Sequence, residues 1–318
     1  MSSRRRLGKK LIRSFLPILL VLVAALVASL VFIVYGITRP PKQAYLVTPQ
    51  AFSQISGPVL KVTDESWINR DGTRARGWLL KGSEGAPAVI LLHRYGGDRS
   101  WLFNLGVKIN ETTNCTILWP DLRGHGVNPL VKWTSFGTRE ADDLVDALGF
   151  LRTLKSENKS KLVGDRFGLY GVELGAYTAL KAAPHDSQVK VLVLDSVPST
   201  ANELVQAAVA AYTGLDNRLL RYLSNSAIRI YFLGAYDDAD SCKIAASLSD
   251  QHVLLLSGAE AGHFRETTAS LEHCFPNKAN VEIRTDLPLT GITLPSATGE
   301  QGEAYDRIVI DFFDKYLR

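Results

Sequence analysis

The stretch FGLYGVELGAYTAL, Phe167 to Leu180, passes from a short apolar strand-like segment through glycines into a helix, and Glu173 occupies the sharp turn between them. A carboxylate so placed can act as a nucleophile or as a general base that activates water. The amino end of the following helix welcomes its negative charge. Other chemistry-bearing side chains are sparse. Arg94, Arg99 and Arg265 could receive an anionic group or simply be solvated. The three cysteines, Cys115, Cys242 and Cys274, have no zinc-site spacing, and Cys115 inside the apolar CTILW reads as a buried thiol. No metal or organic cofactor is implied.

The turn at Glu173 needs a strand and a helix to hold it, and the chain supplies both repeatedly. Segments of about five to seven apolar residues alternate with helical spacing, the mark of a mostly parallel sheet with helices on both faces. Strands are expected at AVILLH from Ala88, TILWPD from Thr116, FGLYG from Phe167, VKVLVLD from Val189, IRIYFLG from Ile228 and HVLLLSG from His252. The turn Asp71-Gly72 predicts an opening antiparallel hairpin. TREADDLVDALGFLRTL should be a helix capped at Thr138, with Leu144, Leu148 and Leu151 on one side. The interval after Val197, through ANELVQAAVAAYTGL, looks helical and long enough for a small lid, and EAYDRIVIDFFDKYL should close the domain.

Ahead of this domain lies a different solvent. Phe15 to Ile37 is uncharged and apolar for 23 residues, long enough at about 1.5 Å per residue to cross a hydrocarbon layer of roughly 30 Å. The run continues past Ala28 and Ser29, which favours an uncleaved anchor over a signal peptide. Residues 1–13 carry Arg4, Arg5, Arg6, Lys9, Lys10 and Arg13 and no acid, so the net charge of +4 becomes 4 − 6 = −2 for the remainder. Nothing then suggests a nucleic-acid surface. Basic residues stay cytoplasmic, which should put the bulk of the chain on the extracytoplasmic side. The organisation expected is a basic tail at 1–13, an anchor at 14–37, a proline-bearing stalk at 38–57 and one domain at 58–318.

From about Pro58 onward the chain resembles the α/β-hydrolase superfamily of serine esterases and peptidases. LLHRYGGDRS is similar to the family's His-Gly-x-Gly loop, PDLRGHG to its turn after the fourth strand, and GVELG stands where Gly-x-Ser-x-Gly belongs. GAYDD at 234–238 and AGHF at 261–264 would follow the penultimate and last strands, where the family puts its acid and its histidine. The resemblance implies triad positions at Glu173, Asp237 and His263, and oxyanion-hole amides on Tyr95 and Leu174. It makes His93 and His125 loop anchors, and Asp195 a minor alternative for the acid. Trp101, Phe103, Trp133 and Phe136 would lie near the site, as an acyl pocket or as core. It also puts the loops carrying Cys242 and Cys274 on one edge of the sheet, within reach of a disulfide.

Two departures stand out, Arg94 for the loop glycine and Glu173 for serine. A carboxylate attacking an ester or amide would yield an anhydride, so one reading is an inactive, membrane-tethered scaffold that binds a small acyl or peptide ligand or a protein partner. A second has Glu173 displace a leaving group at saturated carbon, through an alkyl-ester intermediate that water hydrolyses. A third keeps an ester or amide hydrolase in which Glu173 activates water.

Overall fold

The computed structural model describes residues 2–56, 61–293 and 299–317. Near-continuous apolar runs are buried on both faces only inside a covered parallel sheet, and that is where they lie. The strands are β1 (Val62–Ile68), β2 (Arg74–Leu80), β3 (Ala86–Leu92), β4 (Thr116–Pro120), β5 (Val163–Val172), β6 (Val189–Asp195), β7 (His252–Gly258) and β8 (Val281–Leu287). Their order is β1-β2-β4-β3-β5-β6-β7-β8, with β2 antiparallel to both its neighbours and every pairing from β4 to β8 parallel.

Helices cover both faces. In chain order they are α1 (Ser2–Ile37), α2 (Pro49–Ser56), α3 (Phe103–Thr113), α4 (Thr138–Thr153), α5 (Leu174–Ala182), α6 (Ala201–Thr213), α7 (Arg218–Tyr231), α8 (Ser241–Ala245), α9 (Phe264–Leu271) and α10 (Glu300–Leu317). Alternation along each strand splits the core in two. Ile90, Leu92, Leu169 and Leu194 meet Leu144 and Leu148 of α4 and Tyr177 of α5, whereas Val89, Leu91, Tyr170 and Val193 meet Phe103 of α3 and Phe313 of α10.

Four expectations need correcting. Residues 228–234 form no strand: α7 runs through Tyr231, started by Asn217, whose side chain accepts from the Leu220 amide at 2.9 Å. IRIYF is strand-like alone, but the preceding turns place Leu220, Ser224 and Ile228 on one face, and that face is the one buried. Strand β8 was not anticipated, because VEIRTDL alternates instead of running apolar, as an edge strand does. The cap of α4 is Gly137, not Thr138, and the buried Glu140 carboxylate takes the Ser135 and Gly137 amides. Residues 38–56, expected as a stalk, lie against the domain instead. The Tyr45 hydroxyl donates to Asp121 at 3.1 Å, the Leu46 amide donates to Ser100 at 2.9 Å, and Phe52 packs edge-on to Phe103. The expected boundary at 57–58 falls outside the described residues.

Cys242 and Cys274 form a disulfide that ties α8 to the turn after α9, and Cys115 is a buried thiol outside it. Behind the turn at Glu173, β5 and α5 come unusually close. A Cβ on Gly171 would stand 2.3 Å from the Gly175 carbonyl carbon, and one on Gly175 would stand 2.2 Å from the Leu92 oxygen. Those obstacles are backbone and cannot move aside cheaply. Gly175→Ala should therefore cost about 2–3 kcal/mol in thermal unfolding. Gly149→Ala, on α4 with nothing within 4 Å of the added methyl, should gain about 1 kcal/mol. Shifts of one sign for both would refute this packing.

Candidate functional site

Strand β5 ends at Val172 and α5 begins at Leu174, leaving Glu173 alone at the bend with φ 52° and ψ −105°. A non-glycine residue held there costs on the order of 1–3 kcal/mol. Main-chain bonds impose it: the Glu173 amide donates to the Asp195 carbonyl at 2.9 Å, and the Tyr177 amide donates to the Glu173 carbonyl at 3.0 Å. The Glu173 side chain is largely buried, and burial pushes its carboxyl up to about 7, against the opposing pull of the Arg94 guanidinium. Among the described residues, no hydrogen bond reaches that carboxyl.

Arg94 and Tyr95, in the loop after β3, form the facing side. The Arg94 guanidinium lies over the Trp101 ring at 4.5 Å and donates to the Tyr95 carbonyl at 3.3 Å. Tyr95 stacks on Phe136, is raised by burial and by the Glu173 charge, and donates its hydroxyl to the Ile37 carbonyl at 2.7 Å. The last turn of α1 is thus bonded to the neighbour of the elbow residue. Leu174 is the first residue of α5, so its amide has no partner within that helix.

His93 and His125 anchor loops. His93 Nε2 accepts the Leu122 amide at 3.1 Å, so Nδ1 carries the proton and donates to the Arg94 carbonyl at 2.8 Å. Burial lowers His93 to about 4 and His125 to about 3, which keeps both rings neutral near pH 7. Arg99 is likewise spoken for, bonded to Asp64 at 2.9 Å and to Tyr45 at 3.2 Å, and Phe103 and Phe136 are core.

Asp237 and His263 have other partners than the elbow residue. Asp237 is exposed and pairs with Lys181 at 2.7 Å. Lys181 sits eight residues beyond Glu173, about 12 Å along the helix axis. Asp238 accepts the Asn202 amide at 2.8 Å and pairs with Arg229 at 3.2 Å. His263 is exposed at the start of α9, and the acid that senses its charge is Asp216 in the turn between α6 and α7. Among the described residues, no hydrogen bond or ion pair joins any two of Glu173, Asp237 and His263.

The sheet explains this. Asp237 follows a helix rather than the penultimate strand, and His263 follows β7, which β8 succeeds. The turn after β7, the penultimate strand, contains Glu260, whose carboxylate accepts from the Thr293 hydroxyl. The loop after β8 brings Gly291, whose amide donates to Asp195 at 2.7 Å, and no histidine occurs beyond His273.

No family model matches the chain. Among solved structures it is similar to the Pyrococcus furiosus esterase Pf2001, with TM-score 0.62 and 19% identity over 89% of this chain and 99% of that one. It is also similar to the α/β hydrolase GrgF from Penicillium sp. sh18, with TM-score 0.60 and 16% identity over 81% and 99% of the two chains. A third likeness is to the Pyrococcus horikoshii acylaminoacyl peptidase, with TM-score 0.58 and 13% identity over 86% of this chain and 44% of that one. The thiohydrolase aneE of Aspergillus aculeatus is 22% identical over 132 residues, and this stretch spans 41% of the present chain and only 40% of that protein.

Glu173 makes stability depend on pH. Its folded carboxyl holds its proton up to about 7 against an ordinary 4.5, so the folded chain binds more protons between those values, and stability falls as pH rises through them. Glu173→Gln removes that penalty. Its advantage over wild type should be near zero at pH 4 and grow to roughly 2–3 kcal/mol at pH 8 in unfolding measurements. An advantage independent of pH would show that the carboxyl ionises in the fold as readily as in the unfolded chain.

Proposed function

Starting from the α/β-hydrolase fold, we propose that this chain is a membrane-anchored member of that architecture which has given up serine-type acyl transfer. It serves as a tethered scaffold for a small acyl- or peptide-type ligand or a protein partner. One observation carries the reading: the strained elbow presents a buried carboxyl to which, among the described residues, no imidazole is hydrogen-bonded. Acyl transfer needs a nucleophile that survives as an ester and a base to deprotonate it, and here the first is replaced and the second has no bond to the site. The esterase, peptidase and thiohydrolase relatives supply the ligand class. Phe15–Ile37 anchors the chain, with the basic tail in the cytoplasm and the domain across the membrane.

A second reading has one observation in its favour. A carboxyl titrating near 7 is suited to proton transfer, so Glu173, aided by His263 and Asp237, would activate water in a hydrolase of ester, amide or alkyl substrates.

The two part cleanly in an assay of the full chain in detergent micelles with p-nitrophenyl esters, acyl thioesters and aminoacyl amides. The scaffold reading expects rates equal to buffer for wild type and for Glu173→Ser, since serine there gains no base. Turnover that rises with a midpoint near pH 7 and disappears in Glu173→Gln or His263→Ala would overturn it for the hydrolase.

A further inference from the structure

Helix α7 carries two apolar faces, and only one is covered. At 100° per residue Leu220, Ser224 and Ile228 point one way, and that face is packed. Leu219, Tyr222 and Ile230 share another, and they are 68%, 71% and 71% exposed, with Leu233 just beyond at 88% and Leu215 in the preceding turn at 58%. Arg218, Arg221 and Arg229 line the third side. Large aliphatic and aromatic side chains exposed in one row beside arginines are the composition of a helix lying in a membrane interface.

Contacts with α1 place this row at the right height. The C-terminal end of α1 packs on α6 and α7, with Val34 and Ile37 buried. Tyr212, near the end of α6, has its ring 6.2 Å from that of Phe32 and reaches so close to Gly36 that a Cβ there would stand 2.5 Å from it. Phe32 is five residues inside the end of the apolar span, about 7.5 Å along the axis, so the turn between α6 and α7 lies at the depth where hydrocarbon gives way to headgroups. At the other end of α7, Arg39 donates to the Tyr231 hydroxyl at 3.4 Å.

We infer that the turn between α6 and α7 and the outward face of α7 lie in the lipid surface of the membrane that α1 spans, with Tyr212, Leu215, Leu219, Tyr222, Ile230 and Leu233 among acyl chains and Arg218 toward anionic phosphates, Arg221 and Arg229 being paired with Asp216 and Asp238. This deepens the anchor reading and rests on it. The domain is thereby held with α6 and α7 on the membrane, not free on a tether.

The test uses the full chain in vesicles of phosphatidylcholine and phosphatidylglycerol that carry nitroxide-labelled acyl chains. Cys115 is buried and the other two cysteines are paired, so fluorophores attach to introduced cysteines. Leu219→Cys and Ile230→Cys should be quenched about threefold or more over Glu157→Cys, an exposed site on the loop leading into the start of β5, at the opposite end of the sheet strands from the elbow. Val23→Cys reports the anchor separately. Quenching at 23 with 219 and 230 no higher than 157 would overturn the interfacial helix while leaving the anchor intact, and crosslinking between chains at 219 in that case would identify a second copy as the true cover. No quenching at 23 would overturn both.

Discussion

The site edge of the sheet hangs on Asp195, the last residue of β6. Its carbonyl receives the amide of Glu173 and so holds the bend. Its carboxylate receives the Gly291 amide from the loop after β8 at 2.7 Å, the Ser196 hydroxyl at 2.7 Å and the Tyr305 hydroxyl of α10 at 2.5 Å. Tyr305 in turn meets the Tyr170 hydroxyl of β5 at 2.7 Å. Burial pushes the Asp195 carboxyl up to about 6, and the three donors oppose that push. A buried carboxylate is tolerated only when it is so satisfied, and removing any donor exposes the cost. One residue thereby joins the elbow, the final loop and the closing helix.

Geometry and chemistry have separated at this elbow. The small residues behind the bend, the main-chain bonds and the positive φ serve any side chain at position 173, so the strain does not depend on which one stands there. What the bend now aims is a carboxyl in a dry place, flanked by an arginine and by a tyrosine bonded to the end of α1.

Much of the fold could be read because it rests on local rules. The apolar runs, the Asp71-Gly72 turn and the helical spacing of α4 and α10 each bury their own pattern, and the structure keeps them. Two local patterns misled. IRIYF has β-type composition, but the covered face of α7 extends from Leu220 to Ile228 and outweighs it. VEIRTDL has a strand's alternation without a core strand's composition, because only one side of an edge strand meets the interior.

The candidate site divides along the same line. Residue types alone determined that a glutamate stands at the turn after FGLYG and that an apolar helix of spanning length precedes the domain, and the resemblance of the loop motifs implied that His93 and His125 hold loops. Where the predicted acid and histidine fall was decided by the order of strands: Asp237 follows a helix, His263 follows β7 with β8 still to come, and Glu260 lies in the turn after β7. Pairing across a sheet joins residues far apart in the chain, and no local pattern encodes which strand ends last.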